Sequence, residues 1–347
     1  MPTPLRVALI GAGAMGRQHA HYLQQLPETQ LVAVADPFTR QLADDFDVPS
    51  YPHHQVLLDS VRPDAVIIAN PNDLHVPTAI DCLDAGVATL LEKPVACSLE
   101  QARLLVAAER RTGVPLLIGH HRRHNPIISR ARQIIESGAL GRLTTVTGLW
   151  QTRKDDAYFD VGWRREPGAG VLLINLIHDL DLMRYLCGEV SEVQAITSHL
   201  ARDLPVEDSA ALLLQFANGA LGTLTGSDAT AAPWGWDQNA GENPAVFAQQ
   251  PEQPCLLLAG TEGSLNLPQL KLWQYGDARG WHSPLLCRQE QADNSLAMHN
   301  QLRHLVQVAR RACAPLVTAA DAARTLALVQ AAQRAATEGR TMAPATL

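Results

Sequence analysis

The stretch Val7-Ala8-Leu9-Ile10-Gly11-Ala12-Gly13-Ala14-Met15-Gly16 decides the fold of the first part of this chain. Four apolar residues lead into a G-x-G-x-x-G turn, and a helical alternation of apolar and polar residues follows. This combination is typical of the strand, tight turn and helix start of a dinucleotide-binding unit. Gly11 permits the turn, Gly13 lets the backbone approach a pyrophosphate, and Gly16 lets the helix lie close to the sheet. The unpaired N–H groups at the helix start would face the phosphates.

A second apolar run, Leu31–Ala35, supports this interpretation because it ends at Asp36, 20 positions after Gly16. An acidic residue at that distance can accept hydrogen bonds from the ribose hydroxyls of NAD. It would also repel the 2′-phosphate of NADP, and Arg40, about one helical turn further on, could soften that repulsion. We therefore predict NAD as the cofactor, with NADP less favoured. A tight turn followed by an unrelated surface Asp is the alternative.

The composition indicates an ordinary globular protein long enough for two domains. The chain has 347 residues, of which 46% are apolar and 18% charged, and single cores stop growing near about 250–300 residues. Its net charge is −7, from 28 basic against 35 acidic residues. Because the basic residues are dispersed, we expect no nucleic-acid partner.

The cysteines and the apolar runs predict the compartment. Six cysteines occur without a C-x-x-C motif, which is typical of buried apolar residues in a reducing environment. The start of the chain does not have the pattern of a signal peptide. No apolar run approaches the ~20 residues that a membrane helix needs. We therefore expect a cytoplasmic protein with no membrane partner.

Up to about residue 120, short β-rich runs alternate with helical patterns, which predicts an α/β Rossmann domain with a doubly wound parallel sheet. We assign residues 1–122 to this NAD-binding domain. Residues 123–347 are predicted to form an α+β substrate and oligomerisation domain with an open-faced, mainly antiparallel sheet. Within it we expect a loop over 151–170, a helix over 171–187 and a loop over 228–254. The final helix has the option of packing back on the first domain.

Ligands of such parallel sheets bind at the carboxyl ends of the strands. Polar or glycine residues follow the predicted strands at Gly11, Asp36, Asn70-Pro71-Asn72, Glu92-Lys93-Pro94 and Gly119-His120-His121. Lys93 follows the fifth strand, where a nicotinamide ring should lie. An ordinary surface lysine is the alternative.

Several motifs together resemble the family of glucose–fructose oxidoreductase and inositol dehydrogenase, known as Gfo/Idh/MocA. The resemblance covers nearly the whole chain. It rests on G-A-G-A-M-G at 11–16, N-P-N-D-L-H at 70–75, E-K-P at 92–94, G-H-H-R-R-H-N-P at 119–126, W-R at 163–164 followed by G-A-G at 168–170, and L-I-H-D-L-D at 176–181. In the fourth motif His124 replaces the family's Phe.

The resemblance implies a nucleotide-binding domain, an open-faced sheet domain, NAD or NADP, and a homodimer or homotetramer, which we expect to form through the C-terminal sheet. It makes Lys93 and His178 the catalytic pair. The predicted cofactor-binding residues are Gly11, Gly13, Ala14, Met15, Gly16, Asp36, Arg40, Asn70, Pro71, Asn72, His75, Glu92 and Lys93. The predicted substrate-binding residues are Lys93, His121, Arg123, Trp163, Arg164, Asn175 and His178.

The physical argument for Lys93 stands beside the resemblance. A free lysine has a pKa of about 10.4 and is a poor base at neutral pH. Partial burial beside the positive ring of NAD⁺ would lower that pKa, so that Lys93 could exchange a proton with a substrate hydroxyl. Glu92 is expected to be structural or to face a ribose.

The sequence departs from the family at one position. The polyol dehydrogenases of the family carry an Asp four residues before the histidine that matches His178, and this chain has Ile174 there. Asn175 is the nearest polar substitute, and Asp181 could orient the imidazole ring. A standard polyol-oxidation relay is therefore in doubt, although redox chemistry is not.

Other readings of the polar residues stay open. Arg123 and Arg164 could surround an anionic or polyhydroxylated substrate, or be solvated or paired with carboxylates such as Asp160 and Glu166. Trp163 could wall a sugar-like ligand or merely pack. The histidines at 120, 121 and 124 invite a metal site, but no third Cys or carboxylate ligand lies nearby in sequence, so we predict none.

We predict an NAD-dependent oxidoreductase that moves hydride between the nicotinamide and a secondary alcohol or ketone of a cyclitol, sugar or sugar derivative. One alternative is an NAD-using glycoside hydrolase or lyase of the same fold, in which the hydride returns to the substrate. The other is a non-catalytic NAD(H)-binding regulator. Retention of both Lys93 and His178 argues against the regulator.

Overall fold

The structure is a computed structural model that describes residues 3–166, 168–244 and 246–346. These residues divide into two compact units. The first contains the chain through His124 together with Ser295–Leu326, and the second contains Asn125–Asn294 and Ala327–Thr346. The predicted division at residues 122 and 123 placed 295–326 in the second domain, so the structure differs from it in that segment.

The first unit is a parallel sheet that alternates with helices. Its strands are β1 (Leu5–Ile10), β2 (Thr29–Ala35), β3 (Ser50–Tyr51), β4 (Ala65–Ile68), β5 (Ala88–Leu91) and β6 (Leu116–Ile118), and the helices between them are α1 (Ala14–Gln24), α2 (Gln41–Asp45), α3 (His54–Val61), α4 (His75–Asp84) and α5 (Leu99–Thr112). The strand order is β3-β2-β1-β4-β5-β6, and every pair is parallel. This order confirms the predicted doubly wound sheet.

The strands form where the chain is apolar on both faces. All four residues of β4 and all four of β5 are buried, as expected for strands covered by helices on each side. Helix α5 shows how the ends are set. Ser98 caps it by accepting a hydrogen bond from the Gln101 N–H, and Gly113 ends it at φ +62°, a left-handed conformation that favours glycine.

The second unit is built on a nine-stranded sheet. Its strands are β7 (Leu143–Arg153), β8 (Val190–Ser198), β9 (Ser209–Phe216), β10 (Leu221–Ser227), β11 (Ala229–Trp234), β12 (Leu256–Gly260), β13 (Gly263–Leu267), β14 (Lys271–Tyr275) and β15 (Leu285–Gln289), and its helices are α6 (Pro126–Glu136), α7 (Val171–Ile174), α8 (Leu176–Cys187) and α9 (Trp236–Asn239). The order is β15-β14-β13-β12-β7-β10-β9-β8, with β11 also paired to β7. Among the described strands of this sheet, β7 and β10 are the one parallel pair, which confirms the predicted mainly antiparallel sheet.

Three predicted segments of this unit differ from the structure. The predicted helix over 171–187 is two helices, α7 and α8, which break at Asn175. The predicted loop over 151–170 begins as the end of β7 and continues as two short 3-10 helices, Asp156–Asp160 and Gly162–Arg165; Pro167 lies outside the described residues. The predicted loop over 228–254 contains β11 and α9. Apart from α8, these elements have only four to six residues, too few to give a periodic pattern.

One face of the second sheet is buried and the other is exposed. Along β9, Leu212, Leu214 and Phe216 are buried, whereas Leu213 between them is 56% exposed. Ile196 on β8 and Leu221 on β10 are also exposed, at 76% and 58%. The sheet is therefore open on one face, as the resemblance implied.

Two helices near the end of the chain complete the units. Helix α10 (Ala297–Ala309) buries Leu302 and Leu305. After it, the Ile118 N–H donates to the Val317 carbonyl at 3.0 Å, so this segment extends the edge at β6. That explains why 295–326 belongs to the first unit. The last helix, α11 (Ala319–Glu338), contributes residues to both units.

No helix among the described residues is long and apolar enough to cross a membrane.

Candidate active site

The glycine turn after β1 has the shape that a diphosphate needs. A Cβ on Gly11, at φ +101°, would lie 2.5 Å from the Ala69 carbonyl group, and one on Gly16 would lie 2.0 Å from the Gly11 oxygen. These two glycines are therefore required by close backbone packing. A Cβ on Gly13 would meet nothing within 4 Å. The open space there fits a pyrophosphate at the start of α1.

Asp36 fixes this turn as well as presenting a negative charge. Its Oδ2 accepts a hydrogen bond from the Ala12 N–H at 2.8 Å, and its Oδ1 accepts from the N–H groups of Phe38 and Thr39 at 2.9 and 3.1 Å. Each carboxylate oxygen keeps further acceptor capacity. The carboxylate is thus oriented before any ribose binds, and Arg40 lies exposed at the start of α2.

Asn70, at the end of β4, carries an acceptor that needs a donor. Its Nδ2 donates to the Thr78 hydroxyl at 3.0 Å, while its Oδ1 is buried with no hydrogen-bond partner among the described residues. A buried acceptor without a partner is costly. A bound nucleotide could supply the missing donor. Pro71 is exposed and Asn72 partly exposed in the same loop.

His75 contacts the backbone of that loop. His75 is 1% exposed. Its Nδ1 lies 2.8 Å from the backbone oxygen of Pro94, and its Nε2 lies 3.1 Å from the backbone oxygen of Asn70. Burial lowers the pKa of His75, and the Pro94 carbonyl group, the charge of Glu92 and the Asn70 carbonyl group oppose that shift. The side chain links the loops after β4 and β5.

Glu92 is a buried structural anchor rather than an exposed acid. It is 6% exposed, its Oε1 lies 2.7 Å from His19 Nε2, and its Oε2 accepts from the Lys93 N–H at 3.1 Å. Burial alone would raise the pKa of Glu92, but the hydrogen bond with His19 and the nearby positive charges of Lys93 and His121 lower it overall. Lys93 itself is partly exposed between the buried Glu92 and Pro94.

The contact of His19 with Glu92 was not predicted from the sequence. His19 is 0% exposed on α1, three residues after Gly16, where a polar residue would ordinarily face solvent. The sequence offered one signal for its role, which is its position on α1 about one turn after Gly16. Through Glu92 it ties that helix to the end of β5.

The histidine- and arginine-rich motif forms a short 3-10 helix, His121–His124. Arg123 is 4% exposed and its guanidinium pairs with Asp321 at the start of α11. The substrate contact predicted for Arg123 stays a prediction. His124 Nε2 lies 2.9 Å from His304 Nδ1 on α10. His121 is partly exposed.

In the second unit, the two 3-10 helices after β7 present Arg164 and Trp163. The Arg164 guanidinium lies over the Tyr158 ring, 4.1 Å from its centroid, and donates a hydrogen bond to the Tyr158 backbone oxygen at 2.8 Å. Arg164 forms no ion pair with a described residue, Asp160 and Glu166 included. Trp163 is 52% exposed, so it is available for stacking on a ligand.

Asn175 and His178 share the break between α7 and α8. The His178 N–H donates to the Asn175 backbone oxygen at 3.1 Å, and both side chains are partly exposed. The Asn175 Oδ1 accepts a hydrogen bond from Lys154 Nζ at 2.8 Å. Lys154 also lies 3.2 Å from Asp228 Oδ2. Burial lowers the pKa of Lys154, and Asp228 opposes that shift.

Sequence reasoning missed Lys154, Asp228 and their partner Arg202. One signal was available: of the 28 basic residues only three are lysines, at 93, 154 and 271. A chain that otherwise uses arginine places one lysine directly after β7 and another two residues after the end of β5.

A six-stranded parallel sheet of this order, with an open glycine turn after β1 and an oriented carboxylate after β2, defines a dinucleotide-binding protein. Comparison with known proteins extends that class. Residues 5–120 match the family model described as "Oxidoreductase family, NAD-binding Rossmann fold", and residues 128–266 match the model described as "GFO/IDH/MocA C-terminal domain".

Comparisons with individual proteins support the same family. The oxidoreductase YrbE of Bacillus subtilis is 30% identical over 247 residues, which are 69% of this chain and 71% of that one. The inositol 2-dehydrogenase of Rhizobium meliloti is 28% identical over 276 residues, or 76% and 81%. An Agrobacterium radiobacter oxidoreductase solved with NAD⁺, L-tartaric acid and magnesium superposes with a TM-score of 0.81 at 22% identity, over 98% of both chains.

The chain therefore belongs to the Gfo/Idh/MocA family. It is an NAD-binding oxidoreductase.

Proposed function

We propose that this protein transfers hydride between NAD and a secondary alcohol or ketone of a cyclitol, sugar or sugar derivative, with Lys93 and His178 as the proton-transfer groups. The observation that carries the proposal is the position of Lys93. It follows β5 at the carboxyl edge of a nucleotide-binding sheet, and it is partly exposed between two buried neighbours. A lysine anchored in that way can present its amine to a ligand.

Bound NAD supplies the hydride acceptor, and its reduced form supplies the donor. We assign the diphosphate to the turn from Gly11 to Gly16, where the N–H groups of Ala14 and Met15 open α1. The adenosine ribose falls to Asp36, with Arg40 beside it. Asn70, Pro71 and Asn72 form the next part of the site, and the unpaired Asn70 Oδ1 supports a donor on the ligand there.

His75 and Glu92 are buried and contact the backbone of the loops that carry this site. His75 holds the carbonyl groups of Asn70 and Pro94, and Glu92 holds the Lys93 N–H. We therefore assign both to positioning of the cofactor loops and of Lys93, in place of direct contact with the nucleotide.

In the oxidative direction the substrate carbon loses a hydride and its hydroxyl loses a proton. We assign the proton to the Lys93 amine, and we assign His178 to a second proton transfer or hydrogen bond at the substrate. General acid–base groups of this kind contribute ~10²–10⁴ in rate. Trp163, Arg164, Asn175 and His121 complete the proposed substrate contacts.

Two observations support the substrate class. The matching Rhizobium meliloti protein is named an inositol 2-dehydrogenase. In this chain, the exposed Trp163 ring and the stacked Arg164 guanidinium offer one apolar surface and several donors, a combination that suits a polyhydroxylated ligand.

We also propose that the protein forms a homodimer or homotetramer through the open face of the second sheet. The exposed apolar side chains of Ile196, Leu213 and Leu221 on adjacent strands support this assembly, because contiguous exposed apolar surface marks interaction sites.

The experiment is a screen of purified protein with NAD against cyclitols, sugars and their carboxylic-acid derivatives, with NADH absorbance and product analysis in parallel. The proposal predicts that NADH and a ketone form together in equal amounts. Product without net NADH would indicate the hydrolase or lyase reaction. Tight NAD binding without any product would indicate a regulator.

A further inference from the structure

The side chain of Lys154 is largely enclosed within the second unit. It is 13% exposed, and the Asp228 side chain beside it is 4% exposed. The ammonium lies 2.8 Å from Asn175 Oδ1, 3.2 Å from Asp228 Oδ2, and 4.5 and 5.9 Å from the ring centroids of Tyr158 and Phe159. Burying a lysine to this depth is costly unless its hydrogen bonds are used.

Arg202 shares the same carboxylate. Its Nε lies 3.0 Å from Asp228 Oδ1, and its Nη2 donates to the backbone oxygens of Lys154 and Asp228 at 2.8 and 2.6 Å. Arg202 therefore shares its charge between Asp228 and Asp156, whose Oδ1 lies 3.3 Å from Arg202 Nη1, and fixes the backbone at Lys154. The ammonium also donates to Asn175 Oδ1, a neutral acceptor that the ion pair with Asp228 does not account for.

The role of this hydrogen bond follows from the chemistry of Asn175. An ammonium group can only donate hydrogen bonds, so the Asn175 atom that faces Lys154 must be the carbonyl oxygen. The carboxamide orientation is thereby fixed, and its Nδ2 is left with both N–H donors. Nδ2 donates to no described residue, and Asn175 is partly exposed at the break between α7 and α8, three residues before His178.

Resting on the function proposed above, we propose that Lys154 is a positioning residue that holds the Asn175 carboxamide with its N–H donors presented to the substrate. The site thereby selects a substrate with an acceptor oxygen at this point, a carbonyl or a carboxylate. Arginine would not serve as well, because its planar fork is longer and carries donors in fixed directions. A point charge at the end of a flexible stem suits a single oxygen.

The test uses four variants of the full chain: Lys154→Met, Asn175→Ala, the double variant, and Asn175→Asp. Lys271→Met is the matched control, because Lys271 lies on β14 outside this network. For each protein, kcat and the KM values for substrate and NAD are measured on the best substrate from the screen, beside a thermal melt that confirms folding.

The proposal predicts that Lys154→Met raises the substrate KM about tenfold or more, the size expected for a lost hydrogen bond involving a charged group, and leaves the KM for NAD unchanged. Adding Lys154→Met to Asn175→Ala should cost nothing further, because the lysine acts through the asparagine. Asn175→Asp keeps an oxygen for Lys154 but loses the N–H donors, so its substrate KM should rise as much as that of Asn175→Ala.

A merely structural role predicts a different pattern. Lys154→Met would lower the melting temperature with normal KM, and Asn175→Asp would be kinetically normal. Either result, or additive effects in the double variant, would overturn the proposal while leaving hydride transfer intact. Wild-type protein that oxidises nothing in the screen would instead contradict the proposed function, and the role of Lys154 in substrate selection with it.

Discussion

At the scale of single residues, Asp36 combines two roles that the sequence presented as one. We propose that its charge faces the ribose, and its two oxygens accept hydrogen bonds from the N–H groups of Ala12, Phe38 and Thr39. The residue that we propose discriminates between NAD and NADP therefore also fixes the backbone of the glycine turn.

Asp36→Ser should consequently do more than relax cofactor choice. We expect the preference for NAD over NADP to narrow because the repulsion of the 2′-phosphate is removed. The KM for both cofactors should rise because the turn loses acceptors. The check is kcat/KM for each cofactor, with the exposed Asp44→Ser as control. An unchanged NAD:NADP ratio would show that Asp36 does not set the preference.

His178 and Asn175 separate by their chemistry. An imidazole titrates near neutral pH and a carboxamide does not. We expect His178→Ala to change the pH dependence of kcat, whereas Asn175→Ala should raise KM or lower kcat without moving that profile. Rates measured across pH on both variants, beside thermal melts, decide this. An unshifted profile in His178→Ala would remove the histidine from the mechanism.

At the scale of elements, a histidine pair joins the 3-10 helix at 121–124 to α10. His304 Nε2 faces the Ala314 oxygen at 3.1 Å and must carry a proton. Its Nδ1 is then the acceptor for the His124 Nε2–H at 2.9 Å. In this arrangement the His124 ring donates and the His304 ring accepts. Burial, followed by the charges of His304, His121 and Arg123, lowers the pKa of His124 to about 3.

This pair should make stability depend on pH. Because the folded pKa of His124 lies below its unfolded value of about 6.5, the unfolded chain binds more protons between the two. The free energy of unfolding is therefore highest above that window and falls as the pH drops from about 6.5 toward about 3, by up to about 1.4 kcal/mol per pH unit.

His124→Phe removes the titrating ring. We expect the variant to lose this part of the pH dependence, measured by denaturant unfolding at several pH values, while the exposed His282→Phe keeps it. A variant whose stability falls with acid as steeply as the wild type would mean that His124 is not the group responsible.

The contrast between predicted and observed elements has a physical cause. Strands β1, β4 and β5 carry continuous apolar runs, and the long helix α5 has an N-terminal serine cap and a C-terminal glycine, so local chemistry decides them. The break at Asn175 and the short helices after β7 have no such pattern. The tertiary environment decides these segments.

The site divides in the same way. The glycine turn, Asp36 and Lys93 sit at fixed distances from recognisable strands, so the sequence reveals them. Lys154, Asn175 and Asp228 meet only through the fold, since 74 positions separate the first from the last. The enclosed Arg123 likewise depends on Asp321, 198 positions away.

At the scale of the whole molecule, the open sheet face predicts association. We expect wild-type protein to elute as a dimer or tetramer in light-scattering chromatography, and Leu213→Glu to shift it toward monomer because a charge would be buried in the interface. Leu104→Glu is the control, since Leu104 is 61% exposed on α5. A monomeric wild type, or an unaffected Leu213→Glu, would contradict assembly through this face.

We expect NAD binding and proton transfer to reside in different residues of one oxidoreductase. Lys93→Ala tests it most directly, with the dissociation constant for NAD and the rate of NADH formation measured on the same preparation. We predict near-normal NAD affinity and a loss of kcat of ~10²-fold or more, because the diphosphate and ribose are held elsewhere and only proton transfer is removed. A folded variant that binds NAD and keeps more than about a tenth of the wild-type kcat would contradict the account.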